Sequence, residues 1–234
     1  MITIHIKGGL GNQLFQYAAG RAMTLKAKCN LALDVKCQQC KPKRDYYLDK
    51  YNITKIYKAK GIALEGYWQS EKYFKEYESI IRKELTLKDT SGISELKSKL
   101  QKGNAVAIHV RRGDYLKNPK YGTCSTTYYG NAIDLISTYV NNPTFYVFSD
   151  DPDWCEDTFP CEVIRGNTPI EDMYLMSCCN HFILANSTFS WWGAWLSNNK
   201  DKMVIVPSVY FGGTGTTHKD FWPESWIKIK GILC

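Results

Sequence analysis

Apolar positions along this chain follow two rhythms, and the rhythms alternate. Residues 2–6 are a short β-branched run, followed by Gly8-Gly9-Leu10-Gly11-Asn12. From about residue 13 to 28, Leu14, Ala18, Ala22 and Leu25 recur at three- and four-residue spacing. The first pattern predicts a strand, the second a helix with one apolar face. Residues 31–35 read as a second strand, and 36–60 show no period and read as irregular surface. Ser70 followed by Glu71 predicts a capped helix through Phe74, and 93–102 an amphipathic helix leading to a linker at Gly103-Asn104.

Beyond that linker the alternation is cleaner. Strands are expected over 105–110, 144–148, 161–164, 181–185 and, last, 203–206. Helices are expected over 127–140, 169–178 (with Pro169 at its start) and 189–196. Strands alternating with helices imply a parallel sheet covered on both faces. Two such blocks, joined near residues 90–104, predict a two-domain α/β protein divided as 1–103 and 104–234. In such folds ligands sit at the carboxyl ends of strands, so the residues following each strand are where chemistry is sought.

Composition narrows the class. The 234 residues are 44% apolar, 23% charged and 14% aromatic, without low-complexity segments, which excludes a disordered chain. No apolar run approaches the roughly 18 residues of a membrane span. Met1 leads straight into Ile-Thr-Ile-His-Ile, so no secretory leader is expected. The nine cysteines then read as reduced thiols in a cytoplasmic protein. Cys37-x-x-Cys40 lacks a second pair or histidines at zinc spacing, and Cys178-Cys179 read as buried helix thiols.

The net charge of +7 is unevenly placed: residues 1–60 hold 12 Lys+Arg against 3 Asp+Glu, and 61–234 hold 18 against 20. The basic first quarter can meet an anionic substrate, touch the inner membrane surface peripherally, or form a solvated basic face. No recognition motif accompanies it, so nucleic acid is not an expected partner.

Four strand ends carry conspicuous polar residues. Gly8-Gly9-Leu10-Gly11-Asn12-Gln13 is a glycine-rich turn into a helix, suited to approach an anion or a sugar, although it matches neither the dinucleotide fingerprint nor a P-loop. Arg111-Arg112-Gly113-Asp114-Tyr115, preceded by His109, places two guanidinium forks at a strand end. These fit a diphosphate, or else form an internal Arg–Asp bridge. Ser149-Asp150-Asp151-Pro152-Asp153 is open to three readings: carboxylates for a divalent metal, acceptors for a base edge, or a helix cap. Asn186-Ser187-Thr188-Phe189-Ser190-Trp191 sets hydroxyls and an amide at a helix start, as an anion cradle or as plain caps and core.

In this order the residues resemble the α-1,2-fucosyltransferases of glycosyltransferase family 11. The resemblance rests on Gly8-Gly9-Leu10-Gly11-Asn12-Gln13-Leu14-Phe15-Gln16-Tyr17, on Gly66-Tyr67-Trp68-Gln69-Ser70-Glu71-Lys72-Tyr73-Phe74, and on His109-Val110-Arg111-Arg112-Gly113-Asp114-Tyr115. It continues through Phe148-Ser149-Asp150-Asp151, Asp172-Met173-Tyr174-Leu175-Met176, and Asn186-Ser187-Thr188-Phe189-Ser190-Trp191-Trp192-Gly193-Ala194-Trp195. The His-x-Arg-Arg element also resembles the wider group of α-1,2-, α-1,6- and protein O-fucosyltransferases. Residues 36–60 are shorter than is usual in the family and rich in cysteine.

The resemblance implies a GT-B-like fold: two Rossmann-like α/β domains facing a cleft, an acceptor-side first domain and a GDP-fucose-binding second. It implies inverting transfer of L-fucose from GDP-fucose to a galactose-terminated glycan or glycolipid, commonly at O2, with no cofactor and no metal. By position, Arg111 would hold the diphosphate with Arg112 in support, while His109, Asp150 and Asp151 face the guanosine. Asn186, Ser187, Thr188, Phe189 and Ser190 would cradle phosphate, and Asn12 and Gln13 would line the cleft near the fucose. Gly11, Tyr115 and Trp191 complete the expected binding set, and Arg111, Asp114 and Asn12 the catalytic one.

Displacement at the anomeric carbon needs a base for the acceptor hydroxyl and fixed positive charge for the leaving diphosphate. Asp114 is the carboxylate nearest the arginine pair in sequence: a candidate base or, equally, a structural partner of Arg112. Two alternatives stand beside this reading. One is a metal-dependent glycosyltransferase that uses Asp151 and Asp153 for another nucleotide sugar. The other is a non-catalytic nucleotide-sugar or glycan-binding module, against which the arginine pair argues, since glycan binding needs no diphosphate clamp.

Overall fold

The computed structural model describes residues 1–35, 45–58 and 62–231. The Cys37/Cys40 pair lies outside the described residues. Contacts divide the chain into two compact α/β units, Met1–Thr90 and Ser91–Cys234.

In the first unit β1 (Ile2–His5) pairs in parallel with β2 (Leu31–Asp34), and α1 (Leu10–Lys26) connects them. The helix begins three residues earlier than its apolar spacing suggests, at Leu10, with Gly9 as its N-cap. Two short bridges widen this small sheet, Leu64 beside Ile4 and Tyr57 beside Ala32. Helix α2 (Glu78–Glu84), which the sequence pattern did not reveal, is tied to α1 through one carboxylate. Tyr17 Oη donates to Glu84 at 2.6 Å and Arg21 Nε at 2.9 Å. Removing one partner of such a shielded pair leaves an uncompensated charge, so the triad acts as a clasp between the helices. Ser70 caps as expected, its hydroxyl accepting the Lys72 N–H, although the helix it caps is a single 3-10 turn, Glu71–Tyr73.

The second unit opens with α3 (Ser94–Leu100), which packs against the helix at Pro169–Ser177 and so belongs here, on the far side of the boundary drawn at 103/104 from sequence. Its sheet has six parallel strands in the order β5-β4-β3-β6-β7-β8. These are β3 (Asn104–Val110), β4 (Pro143–Ser149), β5 (Glu162–Val163), β6 (His181–Ile183), β7 (Val204–Pro207) and β8 (Ile227–Ile229). The crossovers are α4 (Thr126–Tyr139), α5 (Pro152–Thr158), α6 (Pro169–Ser177) and α7 (Thr188–Leu196). Strand β8 corrects the expectation that residues 203–206 form the last strand. It is a three-residue edge with two exposed positions, too short and too polar to declare itself.

The sheet interior is apolar because β3 and β6 are buried on both faces, as parallel strands covered by helices must be. Trp191 and Trp192 of α7 are fully buried, and Trp191 Nε1 donates to the Phe221 carbonyl at 2.9 Å. Tyr128 Oη donates to the Leu184 carbonyl at 2.6 Å, fastening α4 to the end of β6. Among the described residues no helix is long and apolar enough to cross a membrane.

Candidate active site

Counting only the second unit's strands, the order is 3-2-1-4-5-6, so chain direction across the sheet reverses between β3 and β6. Loops leave such a pair toward opposite faces and open a crevice outside the carboxyl ends. Arg111 follows β3 directly, and residues 184–187 lead from β6 into α7. The sequence therefore delivers its arginine pair and its Asn-Ser-Thr segment to one place.

Both arginines are held by carboxylates. Arg111 pairs with Asp114 through Nη2 and with Asp150 through Nη1 at 3.0 Å. Burial works against its charge, but Asp150 and Asp114 more than offset this and raise its pKa. Arg112 Nε donates to Asp151 at 3.0 Å, its backbone N–H donates to Asp150 at 2.9 Å, and its guanidinium lies 3.8 Å from the centre of the Trp154 ring. Gly113 permits this: a β-carbon there would stand 2.4 Å from an Asp150 oxygen. The internal Arg–Asp bridge anticipated from sequence is thus present, and Asp114 joins Arg111. Asp150 and Asp151, expected to face a guanine edge, are turned onto the arginines.

Two buried atoms at this end of the sheet have no hydrogen-bond partner among the described residues, Arg111 Nε and His109 Nδ1. His109 is 4% exposed and stacks on Phe189 at 5.3 Å, which joins the end of β3 to the start of α7. Burial, reinforced by Arg111, lowers its pKa to about 3, so the ring is neutral near pH 7. Ser187 caps α7 by accepting the Phe189 N–H at 3.2 Å. Thr188 and Phe189 are partly exposed at that helix start.

Other residues of the expected cradle are engaged inside the protein. The Asn186 amide, wholly buried, donates to the carbonyls of Tyr210 (2.8 Å), Tyr121 (3.2 Å) and Gly122 (3.4 Å). Ser190 is buried and donates to the Ser187 carbonyl at 3.2 Å, and Trp191 is core. Tyr115 donates to the Asn186 carbonyl at 3.2 Å and stacks on Tyr121 at 4.6 Å. Of the expected binding set in this unit, Thr188 and Phe189 stay partly exposed, and Arg111 Nε and His109 Nδ1 stay unpartnered among the described residues.

In the first unit, Gly11 is buried in the first turn of α1. Gln13 is buried and bonded on both sides of its amide: Nε2 donates to the carbonyls of Asp45 (2.7 Å) and Gly8 (3.0 Å), and Oε1 accepts the Tyr47 N–H (3.1 Å). Asn12 is partly exposed and accepts from Gln69 Nε2 at 2.8 Å. Gln13 is a brace, whereas Asn12 remains open to a ligand.

Residues 31–230 match the family model described as glycosyl transferase family 11. The chain belongs to this family. This glycosyltransferase is 30% identical to an alpha-1,2-colitosyltransferase of Escherichia coli over 98% of its own length and 99% of that protein's. It is 27% identical to a galactoside 2-alpha-L-fucosyltransferase of Caenorhabditis elegans, covering 98% of this chain and 79% of that one. Among solved structures it resembles the NodZ alpha-1,6-fucosyltransferase soaked with GDP-fucose, with TM-score 0.55 and 13% identity over 83% of this chain and 91% of that one. At that identity the likeness is one of fold, and the GT-B-like α/β class expected from sequence holds.

Within this family 11 enzyme, the carboxylates of the metal reading are separately occupied: Asp151 by Arg112 and Asp153 by Arg165 at 2.8 Å. Among the described residues no three His, Cys, Asp or Glu side chains converge on one point. Sequence reasoning missed Trp154 beneath Arg112, although it directly follows Asp153, and Tyr210 behind Asn186, which lies next to no motif in the chain. It quoted Asp172 without giving it a role. That carboxyl is bonded by Asn167 at 3.0 Å and raised by burial to about 6, a shift that only tertiary structure creates.

Proposed function

We propose that this glycosyltransferase moves L-fucose from GDP-fucose to a hydroxyl of a galactose-terminated glycan or glycolipid, with inversion, to form an α-1,2 linkage. One observation carries the reading. At the reversal of strand order, Arg111 Nε–H and His109 Nδ1 are buried without partners among the described residues. Leaving such groups unsatisfied costs about 1–3 kcal/mol each, and a ligand that bonds them recovers it. A diphosphate offers Arg111 the acceptor it lacks.

As the anomeric C–O bond breaks, the pair of electrons goes to the β-phosphate oxygen. Arg111, at the β3 end, and the amides that open α7 supply fixed positive potential there. The acceptor hydroxyl adds to the opposite face of the sugar and gives its proton to a base. Asp114 remains the candidate base, and its bond to Arg111 also lets it aim the guanidinium. His109, neutral and buried, serves as a hydrogen-bonding surface and not as a proton shuttle near pH 7. In this reading no divalent cation is required, since Arg111 occupies the role a cation would fill.

The likeness to a colitosyltransferase favours a second donor, an activated colitose, at the same crevice. Turnover with GDP-fucose and with GDP-colitose on galactosides, each with and without excess chelator, tests both. Preferred turnover of GDP-fucose that survives chelation supports the first reading. Preference for colitose selects the second, and loss of activity rescued by manganese returns the metal mechanism. Calorimetry should rank GDP over UDP and ADP by at least tenfold, about 1.4 kcal/mol.

A further inference from the structure

The motif Gly66-Tyr67-Trp68-Gln69 plays no part in the donor crevice, yet the first unit builds it with care. We infer that Tyr67, Trp68, Gln69 and Asn12 form the subsite that holds the terminal galactose of the acceptor. The inference rests on the fucosyl-transfer reading and adds the residues that would choose the acceptor.

Placement comes first. Leu64 bonds along β1, its N–H to the Thr3 carbonyl at 2.9 Å and its carbonyl to the His5 N–H at 3.0 Å. The chain then leaves the sheet where β1 ends, and Gln69 reaches Asn12 at 2.8 Å. Thus the segment stands at the carboxyl end of β1, the edge where α/β units hold ligands.

Conformation comes second. Trp68 has φ +46°, a left-handed backbone that suits glycine or asparagine and is costly for a bulky side chain. The indole lies against Gly66, where a β-carbon would sit 2.8 Å from the ring. Strain of this kind persists where surrounding structure enforces it, and it collects at ligand sites. Tyr67 is 45% exposed beside it.

The third observation is polar. Gln69 Nε2 donates to Asn12 Oδ1, which leaves the Asn12 NH₂ as donor and the Gln69 carbonyl as acceptor. Among the described residues neither side-chain amide has another hydrogen bond. A sugar hydroxyl both accepts and donates, so one hydroxyl, or two neighbours on a ring, satisfies the pair. Partly exposed aromatics offer a surface for the apolar C–H face of a hexose. Lys7 lies 5.4 Å from the Tyr67 ring and is paired with Glu65 at 3.3 Å. The chemistry suits a neutral sugar and not a phosphate.

The test uses the full chain with N-acetyllactosamine and methyl β-D-galactopyranoside as probes. Wild type, Gln69→Ala and Trp68→Asn are compared by saturation-transfer NMR, acceptor KM and GDP calorimetry, with thermal melts to confirm folding. Asparagine tolerates the left-handed backbone while removing the ring. Acceptor KM should rise about tenfold or more and saturation transfer should fall, while GDP affinity stays within about twofold. Folded variants that keep wild-type acceptor KM and saturation transfer overturn the subsite. If Trp68→Asn does not fold, Gln69→Ala decides alone. Wild type that binds neither probe also overturns it. Wild type that binds a galactoside but transfers no fucose leaves the subsite standing and defeats the fucosyl-transfer reading.

Discussion

The two units share a local plan and fill it differently. Each has a parallel strand that ends in a polar turn, β1 into Gly8–Asn12 and β3 into Arg111–Asp114. In the first unit the turn carries amides, and in the second it carries charges braced by carboxylates. Their placement runs against the regional charge, since the basic excess lies in residues 1–60 and the arginine pair in a region with more acids than bases. An anion site depends on which donors stand at a strand end with unmet hydrogen bonds, and a region's net charge says little about it. Five of the first quarter's 12 basic residues (36, 41, 43, 44 and 60) fall outside the described positions. The suggested contact of that quarter with an anionic membrane surface therefore remains a proposal.

The largest effect expected from this contrast is on chemistry in the second unit. Arg111→Lys keeps the charge but loses the fork and its unpartnered Nε, and should lower kcat/KM with GDP-fucose by about 10²–10³. Steady-state kinetics check this, and near-wild-type turnover would dissolve the distinction between the two turns.

Acid should weaken the charged crevice next. The unfolded chain protonates His109 below pH 6.5, while the folded ring resists until about 3. Its contribution to stability therefore falls as pH drops through that window, by roughly 3 kcal/mol between pH 7 and 4. Denaturant unfolding of wild type and His109→Gln across this range reads the difference. An unchanged pH slope in the variant would refute it.

The amide turn should respond through stability instead. Gln13→Ala removes three hydrogen bonds and strands the Gly8 carbonyl and Tyr47 N–H, at about 2 kcal/mol. Urea melts should show the loss, with GDP affinity unchanged. A Gln13→Ala chain of full stability and impaired turnover would instead make Gln13 a ligand contact.

The smallest effect has the opposite sign. The Asp172 pKa is raised, so its penalty grows as pH rises from about 4 to about 6 and persists above. Asp172→Asn should therefore be more stable than wild type at pH 7 and no more stable near pH 3.5. Urea melts of both chains across this range check it, and a stability difference that does not change between pH 3.5 and 7 would refute it.

Much of the fold was legible locally. The strands over residues 2–5, 31–34, 104–110 and 143–149 and the helices over 10–26, 126–139 and 188–196 follow apolar periodicity, because each buries a face or a whole strand. Helix α2 and strand β8 were not legible: one is short and tied on through Glu84, the other a mostly exposed edge with lysine at its centre. At the sites, the arginine pair was legible since unpaired guanidinium groups beside a core demand an explanation.

What the sequence determined by itself is which residues stand at strand ends, because periodicity sets where each strand stops and the chain's order sets what comes next. What only the tertiary structure decided is how those residues spend their hydrogen bonds. Asn12 and Gln13 are adjacent, and Asn186 and Thr188 nearly so, yet Gln13 and Asn186 are consumed in bracing loops while Asn12 and Thr188 remain partly exposed. Partners 24 to 65 positions away, such as Asp45, Tyr121 and Tyr210, make that choice. A buried amide bonds whatever carbonyl the fold brings near it, and no local pattern encodes which carbonyl that is.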